Sequence, residues 1–376
     1  MKSILYIANA RIPTEKAHSL QIMKTCESFA RNGVSVDLVV PNRKNNIKED
    51  AFNFYKVESN FKITKTSCID FLENNIIPKL FSFWIQSITF YFSAKKYIKQ
   101  NPDSIYYTRD LLIAGLLPKK VGSVFYEVHT VPDSVNFIYK RAWNNSKGLV
   151  VISEGIKKEL IRLGVAENKI TISRDAVDIE QFNISETKEE SRNKLNLPQD
   201  KKIIVYTGHL YDWKGAHILA EAASNINEVE FYFVGGTEKD ISFFKENFTS
   251  KNIHIMGHQK HETIPYWLRA ADFLVLPNSA KKRIGALFTS PLKLFEYMAS
   301  KTPIISSRVP AIEEVLNDNE VYYFEPDNVE DLERIIKENI SNTESSNNKA
   351  KASFEKVQKY SWNNRAVGII KYIQSI

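Results

Sequence analysis

Several residue types and patterns are scarce in this sequence of 376 residues. Its two cysteines, Cys26 and Cys68, are too few for a disulfide framework and lack the spacing of metal ligands, so we interpret them as reduced thiols of a cytoplasmic protein. No uncharged apolar stretch reaches the roughly 18 residues that a membrane-spanning helix needs. The apolar run within residues 1–10 is too short for a signal peptide, which favours a first β-strand there.

Motifs of several ligand-binding classes are also missing. The sequence has no Gly-x-Gly-x-x-Gly fingerprint and no P-loop, which argues against a dehydrogenase or an NTPase. No nucleic-acid motif accompanies the lysines and arginines, so nucleic acid is not an expected partner. No Asp-x-Asp follows a predicted strand and no His/Cys cluster has metal spacing, so we expect neither metal nor another cofactor. The net charge of +7 favours anionic partners such as nucleotide phosphates or lipid head groups.

Short apolar runs alternate with helical patterns along the chain. This alternation predicts an α/β fold of two doubly wound, Rossmann-like domains, spanning 1–183 and 184–358, with a polar stretch at 184–201 between the two series of strands. The first series of strands is expected near residues 4–7, 34–40, 104–107, 123–128 and 148–152. The second is expected near residues 203–207, 229–234, 253–256, 273–276, 303–306 and 321–324. Because ligands bind beyond the carboxyl ends of such strands, we expect the domains to face each other across a cleft.

The stretch 289–298 predicts the start of a helix with an anion site. Serine is a favoured N-cap and proline a favoured first helical residue, so Ser290 and Pro291 should begin the helix. The free amides of Leu292 and Lys293, with the helix dipole, could then bind phosphate. Lys293 adds a charge, and Glu296, one turn on, could accept hydrogen bonds from ribose hydroxyls. The alternative is an ordinary helix with both side chains in solvent.

A second candidate is the segment 207–215, which follows a predicted strand and precedes a helical pattern. Gly208 permits close approach between the backbone and a ligand. Lys214 could reach a diphosphate as a mobile point charge. A plain strand-to-helix turn with an exposed lysine is the alternative interpretation.

Candidate residues of the first domain also follow predicted strands. His129 could hydrogen-bond a sugar hydroxyl or a phosphate, although a structural histidine is the common alternative. The polar, basic loop 11–19, with Arg11, Lys16 and His18, could bind the acceptor substrate or could be a solvated loop. Arg109 fits the same description.

The segment 71–98 combines aromatic side chains with four nearby lysines. Rings that enter the head-group boundary while ammonium groups meet lipid phosphates are typical of a helix lying on a membrane. This predicts peripheral contact with an anionic membrane. The alternative is a large helix buried in the first domain.

Together these segments resemble glycosyltransferase family 4, the retaining transferases of GT-B fold, over nearly the whole chain. The resemblance rests on the order and spacing of motifs at 13–17, 150–153, 175–178, 208–215, 235–236, 255–257, 271–277 and 291–299. The version at 290–298 is similar to a bacterial or archaeal branch that assembles surface polysaccharides.

The resemblance implies roles for individual positions. Lys214 would bind the donor diphosphate, Glu296 the ribose, and the backbone at Leu292–Lys293 a phosphate. His129 would lie near the transferred sugar, and His258 would lie beside the nucleobase.

It also implies that a closing helix, 359–376, crosses back onto the first domain.

Three positions depart from the family pattern. Phe288 stands where the family has the first of two glutamates, His209 where it has an arginine, and Ala176 where glycine is usual. Phenylalanine cannot accept hydrogen bonds from sugar hydroxyls, and histidine is a weaker, pH-dependent cation. The nucleotide contacts therefore carry over from the family, whereas the departures bear on the contacts with the donor sugar.

The lack of metal-binding motifs, together with what the resemblance implies, predicts a metal-independent, retaining transferase. It would move a hexose-type sugar from a UDP- or GDP-linked donor to a glycan or a lipid-linked acceptor, in the cytoplasm or at the inner face of the membrane. Two alternatives remain: a nucleotide-sugar epimerase of the same fold, and a non-catalytic partner subunit that binds nucleotide or glycan.

Overall fold

The computed structural model describes residues 3–72 and 77–376, and these divide into two compact units. The N-terminal unit comprises Met1–Ile152, Ile156–Arg174 and Trp362–Ile376, and the C-terminal unit comprises Ser153–Gly155 and Asp175–Ser361. The expected boundaries were 183/184 and 358/359. Residues 73–76, which belong to the aromatic and basic segment 71–98, lie outside the described residues, as do residues 1 and 2.

The N-terminal unit contains a parallel sheet of seven strands in the order β3-β2-β1-β4-β5-β6-β7. The strands are β1 (Ser3–Ile7), β2 (Ser35–Pro41), β3 (Lys62–Thr66), β4 (Ile105–Thr108), β5 (Val124–Val128), β6 (Gly148–Val151) and β7 (Ile170–Ile172). Ile4 and Tyr6 pack into one apolar cluster, and Leu5 and Ile7 into another, so both faces of the sheet are covered.

The C-terminal unit contains a parallel sheet of six strands in the order β10-β9-β8-β11-β12-β13. The strands are β8 (Lys202–Thr207), β9 (Val229–Val234), β10 (Ile253–Gly257), β11 (Phe273–Leu276), β12 (Ile304–Ser307) and β13 (Tyr322–Phe324). Again alternate residues of one strand, such as Val205 and Tyr206, belong to different clusters. The predicted α/β class with two Rossmann-like sheets is confirmed.

Helices connect the strands and cover the sheets. They are α1 (Ala17–Arg31), α2 (Ala51–Tyr55), α3 (Lys79–Gln100), α4 (Leu111–Leu116), α5 (Phe137–Asn145), α6 (Glu154–Arg162), α7 (Ile179–Phe182), α8 (Lys188–Leu195), α9 (Ala216–Ser224), α10 (Glu238–Asn247), α11 (Ile264–Ala270), α12 (Arg283–Ala286), α13 (Leu292–Ala299), α14 (Pro310–Glu313), α15 (Val329–Asn339), α16 (Thr343–Val357) and α17 (Trp362–Ser375). The closing helix α17 packs against α1, and its residues Ala366, Ile369 and Ile373 enter the core of the N-terminal unit.

Two strands and one helix were missed by the sequence patterns. The edge strands β3 and β7 were missed because β3 has a single isoleucine among lysines and threonines and β7 has only three residues. The polar stretch 184–201, which was expected to link the two series of strands, contains α8, and this helix begins with a capping box formed by Thr187 and Glu190. Its Arg192 is buried and pairs with Asp272 at 2.8 Å, so a linker was the wrong interpretation.

Helix α3 has an exposed apolar face and a buried polar one. The exposed apolar side chains of this helix are Leu80, Phe81, Phe83, Trp84, Ile88 and Phe92, whereas the polar side chains of Ser82, Gln86 and Ser87 are buried. Phe90 and Tyr91 are buried as well, so the helix is half-covered. Among the described residues, none of the helices combines the length and the apolar character that crossing a bilayer requires.

Candidate functional site

The turn after β8 returns Lys214 to the carboxyl end of that strand. Gly208 follows β8 with φ +115°, and the Lys214 ammonium lies 3.9 Å from the place where a Cβ of residue 208 would be. A 3₁₀ turn, Asp212–Lys214, then leads into α9 through Gly215. A Cβ at Gly215 would lie 1.7 Å from the carbonyl oxygen of Pro277, so only glycine fits there. The tight turn thus fixes the position of Lys214.

Helix α13 begins one residue later than the capping pattern indicated. Pro291 occupies the cap position in an extended conformation, with ψ 124°, and its ring cannot supply a side-chain cap. The Ser290 hydroxyl instead accepts a hydrogen bond from the Asp175 amide at 2.9 Å, so the expected serine cap was wrong. Leu292 and Lys293 remain the first residues of the helix, where amides have no acceptor within the helix.

Lys293 is buried in an unusual environment. Its side chain points inward, and its Nζ lies 3.9 Å from the centre of the Tyr206 ring. Nζ is buried and has no hydrogen-bond partner among the described residues. Burial, followed by the nearby charge of Lys214, holds the pKa of Lys293 well below its usual range. Burying an ammonium without a hydrogen bond costs free energy, which a bound anion would recover.

Lys214 and Glu296 belong to the same electrostatic group. Burial lowers the pKa of Lys214 to about 8, and the carboxylate of Glu296 opposes this shift. Glu296 is largely buried, with 15% of its side chain exposed, and lies 3.8 Å from the Nε2 atom of His261. The structure therefore brings Lys214, Lys293 and Glu296 together, as the sequence predicted for a diphosphate and ribose site.

His261 was not expected in this group. It sits at the start of the 3₁₀ turn before α11, and its Nδ1 lies 2.9 Å from the side-chain nitrogen of Gln181. Sequence patterns offered no signal for it, because its link to Glu296 spans 35 positions of the chain.

The other predicted donor-binding residues of the C-terminal unit lie at strand ends. The half-buried ring of His209 stacks on Tyr211 with centroids 4.9 Å apart, and its carbonyl oxygen accepts from Tyr206. His258 is exposed and directly follows β10.

Phe288, at the position of the family's first glutamate, is buried beneath the guanidinium of Arg283. The ring centre and the Arg283 Cζ are 4.8 Å apart. The position therefore contributes packing to the unit and offers no acceptor for a sugar hydroxyl.

Asn278 is a second polar residue that the sequence patterns missed. It follows β11, is 1% exposed, and neither atom of its side-chain amide has a partner among the described residues. Its backbone neighbour Ser279 donates to the carbonyl of Trp213, which places Asn278 beside the turn that carries Lys214. Its position two residues past the end of an apolar strand was the available signal.

In the N-terminal unit, His129 belongs to a buried network. Its Nε2 lies 2.6 Å from Oε1 of Glu127, which is the last but one residue of β5. Oε1 also accepts from Arg365 of α17 at 2.9 Å, and Oε2 accepts from the Tyr107 hydroxyl at 2.5 Å. Glu127 and Arg365 were not among the predicted residues, since they are 238 positions apart in the chain.

The predicted acceptor residues divide into two groups. Arg109 hydrogen-bonds the side chain of Gln21 and donates to the carbonyl oxygen of His18 at 3.4 Å. After burial, the charge of Arg109 is the second cause that lowers the pKa of His129. Arg109, His18 and His129 therefore form one group. Lys16 is the exposed residue preceding α1, and Arg11 is half-buried.

Within the described residues, no three His, Cys, Asp or Glu side chains converge as metal ligands would.

Two family models match consecutive parts of the chain. One, Glycosyltransferase Family 4, matches residues 20–181, and the other, Glycosyl transferases group 1, matches residues 187–356. The two matches correspond closely to the two sheets described above.

Curated relatives align with part of the chain. The sulfoquinovosyl transferase SQD2 of Arabidopsis thaliana is 24% identical over 220 residues, which are 57% of this chain and 41% of the relative. The amylovoran biosynthesis glycosyltransferase AmsK of Erwinia amylovora is 24% identical over 188 residues, which are 48% of this chain and 44% of the relative. The alignments thus span less than half the length of these relatives.

Solved structures resemble the chain along its whole length. HepE of Anabaena, in complex with UDP, superposes with a TM-score of 0.77 at 14% identity, covering 100% of both chains. Sucrose-phosphate synthase of Thermosynechococcus elongatus gives a TM-score of 0.79 at 17% identity, covering 100% of this chain and 99% of the other. Both likenesses concern the fold, which is the predicted GT-B fold.

Proposed function

This chain belongs to the glycosyltransferases of family 4, and we propose that it transfers a hexose-type sugar from a nucleotide-diphosphate sugar, with retention of configuration. The acceptor is a glycan or a lipid-linked glycan of a surface polysaccharide. The name of AmsK, which refers to the biosynthesis of amylovoran, supports this choice of acceptor. The observation that carries the proposal is the buried, unpartnered ammonium of Lys293 beside Lys214 and the start of α13.

The chemistry follows from the charge that develops on the leaving diphosphate. As the sugar–phosphate bond breaks, negative charge accumulates on the diphosphate. Lys214, Lys293 and the first amides of α13 are the groups that would stabilise it. Since these groups supply positive charge, we propose a reaction that requires no metal. Glu296 would accept hydrogen bonds from the ribose, and His129 would contact the sugar. UDP and GDP are the proposed nucleotides, and the HepE complex with UDP supports the first.

Two substitutions test the donor site. We expect Lys214→Ala and Glu296→Ala each to lower kcat/KM at least tenfold, which corresponds to about 1.4 kcal/mol of transition-state binding. The exposed residues Lys251 and Glu221 of the same unit provide matched controls, as Lys251→Ala and Glu221→Ala. The assay is hydrolysis of a panel of nucleotide sugars, which needs no acceptor. An unchanged rate in the folded double variant would contradict the site.

The same assay separates the alternatives. Formation of a new sugar nucleotide from the donor alone would indicate an epimerase. The buried Phe288 favours the second alternative, a non-catalytic subunit, because it removes a carboxylate that the family uses. Normal nucleotide binding without hydrolysis or transfer of any donor would support that alternative.

We also propose that the exposed apolar face of α3 docks on an anionic membrane. Phe81, Trp84 and Phe92 are 65%, 43% and 62% exposed and lie at helical spacing. Lys96 and Lys99 are exposed on the following turns of the same helix. Rings can enter the lipid boundary while these ammonium groups meet lipid phosphates.

Vesicle flotation tests this surface. The full chain should float with vesicles that contain phosphatidylglycerol, and Phe81→Ser combined with Trp84→Ser and Phe92→Ser should abolish flotation. Phe243→Ser removes a similarly exposed ring, 54% exposed, from the other unit and serves as the control. Phe90 is unsuitable for the test because it belongs to the core. Flotation of the triple variant at the level of the parent would contradict membrane docking by α3.

A further inference from the structure

The Glu127 carboxylate is ionised inside the N-terminal unit. It is 2% exposed, and burial alone would raise its pKa. The charge of Arg365 and the hydrogen bond from His129 outweigh burial and hold the pKa of Glu127 well below its usual range. Arg365 is itself buried and also donates to Thr25 at 3.2 Å and to the carbonyl of Arg174 at 3.0 Å. The closing helix thereby supplies the cation that keeps Glu127 negative.

An ionised carboxylate can only accept hydrogen bonds, and this determines the proton on His129. The contact of 2.6 Å between Nε2 and Oε1 requires a hydrogen on Nε2. Burial, followed by the charge of Arg109, lowers the pKa of His129 to about 4, against the opposing effect of Glu127, so the ring is neutral near pH 7. A neutral imidazole has one N–H, so Nδ1 carries a lone pair.

The lone pair remains available to a ligand. The side chain of His129 is 23% exposed, and its hydrogen bond among the described residues is made through Nε2. The charged groups around the ring are Glu127, Arg109 and Arg365, and Tyr107 completes the network. Tyr107 stays a hydroxyl donor, because burial and the charge of Glu127 raise its pKa well above the usual value.

We infer that Glu127 is a positioning residue that fixes His129 with its hydrogen on Nε2, so that Nδ1 accepts a hydrogen bond from a hydroxyl of the transferred sugar. The identity of the ligand rests on the proposed function, whereas the state of the ring does not. In this arrangement His129 orients the sugar and does not donate a proton to the leaving group. A histidine with a purely structural role would need only the hydrogen bond from Nε2 to Glu127.

The state of the ring is measured directly by ¹⁵N NMR of the full chain labelled at histidine, with the His129 signals assigned by their loss in His129→Asn. We expect a protonated Nε2 and an unprotonated Nδ1 from pH 8 down to pH 5. A protonated Nδ1 with a bare Nε2, or an imidazolium at pH 7, would overturn the inference. This measurement stands even if the chain proves to transfer no sugar.

Two substitutions then test the role of Nδ1. Asparagine places its carbonyl oxygen near the position of Nδ1, whereas glutamine reaches the position of Nε2 and can keep the contact with Glu127. We expect His129→Asn to retain at least about tenfold more donor hydrolysis than His129→Gln. A structural role predicts the reverse order, since glutamine preserves the buried hydrogen bond. Equal or reversed activities, with both variants folded, would overturn the positioning role.

Discussion

Glu127 of the N-terminal unit and Lys293 of the C-terminal unit are both ionisable groups buried beside a parallel sheet, but their surroundings differ. Glu127 accepts hydrogen bonds from Arg365, Tyr107 and His129. Lys293 rests on the Tyr206 ring, and its Nζ has no hydrogen-bond partner among the described residues. Hydrogen bonds and an ion pair within the protein offset the cost of burying the first charge, whereas the second has only the Tyr206 ring and the nearby charge of Glu296.

The two units therefore differ in how their buried polar groups are prepared for a ligand. In the N-terminal unit the charges are satisfied before any ligand arrives, so the side chains are held in one arrangement. In the C-terminal unit Lys293 and Asn278 keep unused hydrogen-bonding capacity, which suits a group that binds a diphosphate and later releases it. Binding of an anion would therefore recover the free energy that the burial of Lys293 costs on folding.

Removing Arg365 should have the largest effect, because the buried carboxylate of Glu127 would lose its ion-pair partner and keep only its contacts with Tyr107 and His129. We expect Arg365→Ala to lower the free energy of unfolding by about 3–5 kcal/mol. Scanning calorimetry of the full chain measures the change. Arg334, which pairs with Asp331 and Glu338 at the surface, is the control, and Arg334→Ala should leave the melting temperature nearly unchanged. Similar melting of both variants would show that the Glu127 network contributes little.

The sequence predicted the fold to the extent that local patterns carry it. Apolar runs such as Ile203–Thr207 mark buried strands whatever they pack against, whereas β3 carries lysines because it lies at the edge of its sheet. The helix α8 was missed because its one buried charged residue, Arg192, pairs with Asp272, which lies 80 positions later in the chain.

The candidate site was predictable where strand ends and helix starts are visible in the sequence. Lys214, Lys293 and Glu296 were found in this way. The burial of Lys293 was not predictable, because it depends on how α13 meets the Tyr206 ring across the fold. For the same reason the network of Glu127 was missed, since its cation comes from the closing helix.

Replacing Lys293 tests the buried charge of the C-terminal unit. Lys293→Met keeps much of the volume and removes the unpartnered ammonium, so we expect the unfolding free energy to rise by about 1–3 kcal/mol. The same change should weaken binding of the nucleoside diphosphate, chosen from UDP, GDP and ADP, because an attraction to the phosphates is lost. Calorimetric melting and titration calorimetry measure the two effects, with the exposed Lys251→Met as the control. A variant that is less stable, or that binds as tightly as the parent, would contradict an unsatisfied cation at this position.

The smallest expected effect concerns the pH dependence of diphosphate binding. The pKa of Lys214 is lowered to about 8 by burial, and a bound diphosphate should raise it, so the complex holds a proton that the free protein loses above that pH. Affinity should therefore be full well below pH 8, about half of that value at pH 8, and about fivefold lower again at pH 9. The phosphate itself is fully ionised in this range, because its last pKa is about 6. Titration calorimetry of the same nucleoside diphosphate measures the change, and Lys214→Arg should flatten it, because arginine stays charged at these pH values. A parent protein whose affinity is constant over this range would mean that Lys214 does not bear the proton that the anion requires.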